Sequence, residues 1–363
     1  MEKIKLFLVG GFLGSGKTTA IQRASDYLHQ QKRKTGVITN DQGTQQVDTQ
    51  FIKGHAIPSE EVAGGCFCCN YNDLEKSIKS LEINERPEII FAESVGSCAD
   101  LAATVINPLI SFNPGQYEIV LSVFADTRLL VQFLQNDKDI FYDNVNYIYK
   151  KQLEEADIIV ANKVDLLTEE QLDLAKQLIE MEYGDKIILY QNSLSIESIK
   201  QWLIFCGECQ NISLRPSLEI DYDIYGTGES ELAWLDEEIG IVTTDNSAIA
   251  AGHTLVNKIY EKITRRGYPI GHLKFLIDNG QRQQKISYTT IADANIAHPV
   301  YEGANRIIIL VNARVQVSAG LLEEIVEEAI CETEMAANCK IIQQKLSAFQ
   351  PGYPHPTHRI ISY

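Results

Sequence analysis

No apolar run among the 363 residues reaches the ~18 that a membrane-spanning helix needs, so no membrane partner is expected. Positive charge is scarce: 32 Lys and Arg stand against 49 Asp and Glu, a formal net charge of −17. No run of basic residues offsets this locally, and a chain of that sign repels a phosphodiester backbone. Nucleic acid is therefore excluded as the main partner, and any anionic ligand needs a local device to hold it. There is no internal repeat and no low-complexity tract. Hydrophobic residues at 45% and charged residues at 22% give the balance of a globular chain rather than a fibrous or disordered one. The opening MEKIKLFLVGGFLG imitates a secretory signal, but no A-x-A-like cleavage site comes after it. Without a secretory context, the eight cysteines imply reduced thiols and the cytoplasm.

The length implies two domains, three at most. In the first half, short apolar segments alternate with helical patterns, which predicts a parallel α/β sheet. The strand candidates are Ile4–Val9, Thr35–Thr39, Glu88–Ala92, Ile119–Ala125, Asp157–Ala161 and Lys186–Tyr190. Helical stripes run through Thr19–Gln31 and Thr168–Glu180. The pattern changes after a soft boundary at residues 205–216, giving expected domains of 1–212 and 213–363. Strands are expected at Leu232–Thr244, His272–Asp278, Lys285–Ile291, Arg306–Val317 and Lys340–Phe349, with helices at Ala248–Ile263 and Leu321–Ile330. That β-α-β-β-β-α-β order points to an α+β domain with a ferredoxin-like split βαβ unit.

Gly11-Phe12-Leu13-Gly14-Ser15-Gly16-Lys17-Thr18 matches G-x-x-x-x-G-K-[ST] between a predicted strand and a predicted helix. That is the context of a phosphate-binding loop. Glycines let backbone amides wrap phosphates, and the helix N-terminus adds partial positive charge. Lys17 is expected to reach the β- and γ-phosphates, Thr18 to ligate Mg²⁺, and Thr19 to belong to the same phosphate-binding stretch. Asn162-Lys163-Val164-Asp165 matches the guanine box N-K-x-D. Asp165 suits the paired N1–H and exocyclic amine donors of guanine, which adenine lacks. Asn162 is expected on the other base edge and Lys163 over the base face. Glu93-Ser94-Val95-Gly96 ends a strand with an acid for the Mg²⁺ side and a glycine amide for the γ-phosphate. Asp126, at the end of the next strand, is the competing acid.

Gly64-Gly65-Cys66-Phe67-Cys68-Cys69 packs three thiols into four residues. Adjacent cysteines pair poorly as disulfides, and crowded thiolates repel unless a cation neutralises them. A thiophilic ion such as Zn²⁺, Co²⁺ or Cu⁺ answers this; a redox-active or merely buried cluster is the alternative. A fourth ligand must come from elsewhere, with Asp41, His55, Glu60 and Glu61 as candidates. Cys206 and Cys209 have C-x-x-C spacing but no second pair nearby, and read as incidental. The stretch from Phe349 to Arg359, with three prolines, reads as a stiff tail in which His355 and His358 are docked structure. His29, His253, His272 and His298 read as ordinary surface or core residues.

Taken together, GGFLGSGKTT, the G-G-C-x-C-C run, E-S-V-G and NKVD make the chain resemble the CobW-type GTPases, relatives of the urease and hydrogenase nickel-insertion GTPases. Asn40-Asp41-Gln42-Gly43 with Asp48 is similar to that family's N-E-x-G switch segment, with Asp41 in place of Glu. Residues Gly228–Leu235 are similar, less strictly, to its C-terminal domain. The resemblance implies a P-loop GTPase that hydrolyses GTP with Mg²⁺ and binds zinc or cobalt at the C-x-C-C motif, with Asp41 as a further ligand. It implies metal delivery to a client metalloenzyme, or service to a corrinoid-dependent protein, with a homodimer as an option. The His-rich tract of many zinc-handling relatives is absent, which argues against metal storage. Two other readings stand beside it: a GTP-gated regulatory protein with a structural metal, and an ATP-dependent kinase-like enzyme, which NKVD opposes.

Overall fold

Residues Ile4–Gly11 form β1, whose last six positions are buried, as a strand covered on both faces requires. The computed structural model describes residues 3–41, 52, 57–135, 140–209, 212–291 and 303–363. After β1 come α1 (Lys17–Gln30), β2 (Thr35–Asp41), β3 (Ser59–Ala63), α2 (Tyr71–Asn84) and β4 (Ile89–Glu93). A single π turn at Ala102–Ile106 leads into α3 (Asn107–Phe112), then β5 (Tyr117–Asp126), α4 (Thr127–Leu134) and α5 (Asp143–Glu154). The α/β portion continues with β6 (Ile158–Asn162), α6 (Glu169–Tyr183), β7 (Ile187–Gln191), α7 (Ile196–Glu208) and α8 (Tyr222–Ser230).

The strands form one seven-stranded sheet in the order β3-β2-β4-β1-β5-β6-β7, every pair parallel. Parallel pairing brings the C-terminal ends of all the strands to one edge. Val9 sits opposite Glu93, Gly11 opposite Phe124, and Asp126 opposite Asn162. Strand order reverses at β1, and the crevice beyond such a reversal is where ligands bind in open α/β sheets. One core layer packs Phe7, Phe91, Phe124 and Trp202 with Ile21 and Ala24 of α1. The Trp202 indole N–H donates to Ser122 Oγ at 3.0 Å, so this large side chain is buried without an orphaned donor. All six strand candidates of the first half are present. The additional strand, β3, is a polar edge strand with one buried residue, Val62, which left no apolar signal.

The second unit contains β8 (Ala233–Val242), α9 (Ala248–Arg265), β9 (Ile270–Asp278), β10 (Gln283–Tyr288), β11 (Arg306–Val315), α10 (Ala319–Ala337) and β12 (Lys340–Phe349). Its sheet is antiparallel, ordered β10-β9-β11-β8-β12. Without β10, that is the split βαβ arrangement expected from the element order, and β10 extends one edge by a hairpin. Ile307, Ile309, Val311 and Ala313 alternate along β11 into the core shared with α9 and α10. The intervening Asn312 and Arg314 are buried too. They form a polar network in which Asp236 Oδ1 accepts from Asn312 at 2.6 Å and from Arg314 at 2.9 Å.

The division into units differs from the expected cut between residues 212 and 213. The first unit extends through Gly228 and takes in Tyr353–Tyr363, leaving Glu229–Gly352 as the core of the second. The reason lies in specific bonds. Arg215 is ion-paired to Asp157 at 2.8 Å, and Tyr225 Oη accepts from the Ala99 N–H at 3.1 Å. Ser217 N–H donates to Ser362 O at 2.8 Å, and Ile360 N–H to Ala103 O at 2.8 Å.

Candidate functional site

The loop after β1 is shaped by glycines at two points. Gly11 has φ 120°, and a Cβ there would collide with the Phe124 backbone; Gly16 has φ 94°, and a Cβ would collide with Asn162 Nδ2. Gly16 is the N-cap of α1 without a side chain to satisfy the first amides, which remain available to an anion. Lys17 Nζ folds over the loop and donates to Gly11 O at 2.7 Å and Phe12 O at 3.1 Å. Thr18 Oγ1 donates to Glu93 Oε1 at 2.9 Å. The structure therefore brings Thr18 and Glu93 together across 75 positions of sequence, both buried. Gly96 lies directly against the loop, since a Cβ on it would come 3.0 Å from the Leu13 backbone nitrogen.

Asp126, the competing acid, is otherwise engaged. Its carboxylate holds Arg128 at 2.7 Å and Lys163 Nζ at 3.0 Å. Burial alone would raise its pKa, but the Arg128 and Lys163 charges outweigh burial and hold the carboxyl below its usual range. Lys163 itself has left-handed backbone, φ 64°, which turns the chain sharply after β6. Asp126 thus fixes the lysine of the N-K-x-D box. Asp126→Asn is expected to weaken guanine-nucleotide binding about tenfold by releasing Lys163. Titration with a fluorescent GDP analogue measures this, and an unchanged Kd denies Asp126 that role.

Asn162, expected on the other base edge, is positioned by three hydrogen bonds. Its Nδ2 donates to Ser15 O at 2.8 Å, and its Oδ1 accepts from Ser193 N–H at 3.1 Å and Ser193 Oγ at 2.8 Å. It ties the phosphate loop to the loop after β7, a segment without a recognised motif. Asp165 lies in a short 3₁₀ turn and is exposed, open to a ligand at the sheet edge.

Cys66 and Cys68 are buried and Cys69 is half-buried, with the three Sγ atoms within 4.8 Å of one another. None of the eight cysteines is joined in a disulfide. Asn40, at the end of β2, shapes the loop: its Nδ2 donates to Val62 O at 2.9 Å and Gly65 O at 2.7 Å, and its Oδ1 accepts from Phe67 N–H at 2.9 Å. The C-terminal tail pins the other side. Thr357 donates from N–H to Cys68 O at 2.9 Å and from Oγ1 to Cys69 O at 2.6 Å. His358 sits edge-on to the Tyr71 and Phe112 rings, both at 5.0 Å, so the tail is docked as the sequence suggested. The neighbouring thiols Cys66, Cys69 and Cys98, with burial behind them, push Cys68 well above the ordinary thiol pKa. Without a cation the cluster is neutral, and a thiophilic ion fits its donor set.

Of the fourth-ligand candidates, Asp41 ends β2 opposite Ala63 of β3, with its side chain outside the described residues. His55 also lies outside them. Glu60 Oε1 accepts from Ser80 Oγ at 2.7 Å, and Glu61 is exposed. The residue that sequence reasoning missed is Cys98, whose Sγ is 3.9 Å from that of Cys68. Its one signal was position, two residues beyond the Glu93–Gly96 motif. Cys206 belongs to the hydrophobic core: its thiol lies 3.5 Å from Ser122 Oγ, and burial pushes its pKa up to about 12.

Residues 5–188 match the family model described as CobW/HypB/UreG, nucleotide-binding domain. Among curated relatives, the zinc chaperone YeiR of Escherichia coli is 28% identical over 190 residues, 50% of this chain and 53% of that protein. The zinc chaperone CobW of a Sinorhizobium species is 28% identical over 186 residues, 46% and 52% of the two chains. The chain thus spans about half the length of these relatives. The crystal structure of HypB from Helicobacter pylori in complex with nickel aligns with a TM-score of 0.43 and 16% identity, covering 57% of this chain and 87% of that one. With its phosphate loop, N-K-x-D box and parallel sheet in the family's arrangement, the chain belongs to the CobW/HypB/UreG family.

Proposed function

We propose that this protein binds and hydrolyses GTP, holds zinc or cobalt at Cys66, Cys68 and Cys69, and couples nucleotide state to metal delivery. The observation that carries the reading is that the thiol loop is built from the same sheet edge as the phosphate loop. Asn40 at the end of β2 shapes the C-x-C-C loop, while Thr18 and Glu93 meet beside the phosphate loop. In this reading, the backbone amides after Gly14 and the start of α1 cradle the phosphates, and Lys17 leaves its carbonyls for the β- and γ-oxygens. Thr18 and Glu93 would hold Mg²⁺, which neutralises phosphate charge when bound. Gly96 would place its amide toward the γ-phosphate, and Asp165 would accept the two guanine donors. A change at Gly96 or Asn40 on hydrolysis alters how the thiols are held, and the partner that receives the metal is a client metalloenzyme or corrinoid-dependent protein.

A second reading, a GTP-gated regulatory protein with a structural metal, is favoured by the burial of Cys66 and Cys68 and by the tail bonded to their loop. The two readings separate on linkage. Delivery requires nucleotide state to change metal affinity by about 5- to 150-fold, with the metal changing GTP affinity by the same factor. Titrating Zn²⁺ and Co²⁺ against a chelator, with a GTP analogue and with GDP, measures one direction; nucleotide titration with and without metal measures the other. Equal zinc affinity in both nucleotide states leaves the regulatory reading.

A further inference from the structure

We infer that Cys98 is the fourth metal ligand, making the site a four-thiolate centre of Cys66, Cys68, Cys69 and Cys98. The inference rests on the proposed binding of zinc or cobalt by the C-x-C-C cluster. In a tetrahedral site with Zn–S bonds of about 2.3 Å, the sulfur atoms lie about 3.8 Å apart. Cys68 Sγ already stands 3.8 Å from Cys69 Sγ and 3.9 Å from Cys98 Sγ. The Cys68–Cys98 separation is nearly twice a disulfide bond length, so the pair is two thiols.

Burial and chain geometry agree. Cys98 is fully buried, and its loop is held from both directions. Its N–H donates to Val95 O at 3.0 Å, and Gln152 Nε2 donates to Gly96 O and Cys98 O, both at 2.9 Å. Two residues on, Asp100 Oδ2 accepts from Arg359 Nε and Tyr222 Oη, both at 2.7 Å. The thiol is thus presented by a braced backbone, as a ligand needs to be. Among the described residues, the group whose ligand atoms all lie within 4.8 Å of one another is Cys66, Cys68 and Cys69, and Cys98 stands beside it through Cys68. A fourth sulfur matches the preference of soft thiolate sites for uniform ligation.

The position also gives the fourth ligand a nucleotide connection. Cys98 is on the segment just past Glu93 and Gly96, whereas the other three thiols are on the loop shaped by Asn40. The metal would therefore bridge two loops that leave the C-terminal edge of the same sheet.

The test uses the full-length reduced protein, wild type and Cys98→Ser, with Cys66→Ser and Asp41→Asn for comparison. Co²⁺ absorption reports the number of thiolates, and Zn²⁺ affinity comes from chelator competition. Wild type is expected to give a four-thiolate cobalt spectrum and Cys98→Ser a three-thiolate one, with zinc binding weakened on the order of 100-fold. Circular dichroism establishes that the variant is folded. If it is not, cadmium NMR of the wild-type protein decides between four sulfur ligands and three. A Cys98→Ser protein with unchanged spectrum and affinity, or a ligand lost in Asp41→Asn instead, overturns the assignment while leaving the metal-binding reading intact. Wild-type protein that takes up neither ion overturns both.

Discussion

Lys17→Ala abolishes GTP hydrolysis and leaves zinc binding to the nucleotide-free protein unchanged. The first half of that expectation comes from where the ammonium sits. It is buried and bonded to two carbonyls of its own loop, so it is held in place before any nucleotide arrives. Once moved from those carbonyls to the β- and γ-oxygens, the ammonium faces the transferring phosphoryl group as negative charge develops. Removing one such donor typically costs 10²–10³ in rate, and a formal charge in a buried site sits at the upper end or beyond, on the order of 1000-fold. The second half comes from the thiol cluster, whose loop is held by Asn40 and Thr357. Phosphate release and chelator competition without nucleotide measure the two halves separately. Loss of zinc in the apo variant means that the metal site has been assigned to the wrong residues.

Asp165→Asn lowers GTP affinity by about 2–4 kcal/mol, a factor of roughly 30 to 1000. The carboxylate supplies the two acceptor oxygens that match the paired guanine donors, while Asn162 braces the site by tying Ser15 to Ser193. An amide at the same position supplies one acceptor and sets an N–H₂ against the guanine donors. Asp165 is not part of the packed core, so the change tests recognition rather than folding. Calorimetric titration with GTP and ATP reads the outcome. Unchanged GTP affinity, or a wild-type preference for ATP, removes the guanine reading and with it the GTPase proposal.

What the sequence disclosed and what it hid divide along physical lines. Strands covered on both faces are continuous apolar runs, so β1, β4, β5 and β6 were legible, and β1, β4 and β6 each end at a residue of the phosphate or base motifs. Helix α6 was legible through the apolar stripe of Thr168–Glu180, and the structure adds a reciprocal cap of its first turn by Thr168 and Gln171. Alternation on one face of the second sheet likewise disclosed β8, β9 and β11. Hidden were features with no local pattern. Strand β3 is polar because it is an edge. Cys98 joins Cys68 from 30 positions away, and nothing near either residue encodes the pairing. The unit boundary was missed because residues 213–228 differ little in composition from the start of the second unit. Only their bonds to Asp157, Ala99 and the tail assign them to the first unit.

The bonds from Thr357 to the carbonyls of Cys68 and Cys69 impose an order of events on the ribosome. Thr357 lies 288 positions beyond Cys69. At 5–20 residues per second, the thiols emerge on the order of tens of seconds before the segment that will clasp their loop. The sheet edge carrying the phosphate loop and Asn162 is complete once Ser193 has emerged, well before the clasp. Nascent chains therefore pass through a stage in which every strand of the first sheet has emerged and the cysteine loop is unclasped. In the metal-binding reading proposed above, first loading meets an open loop and later exchange meets one clasped by Thr357.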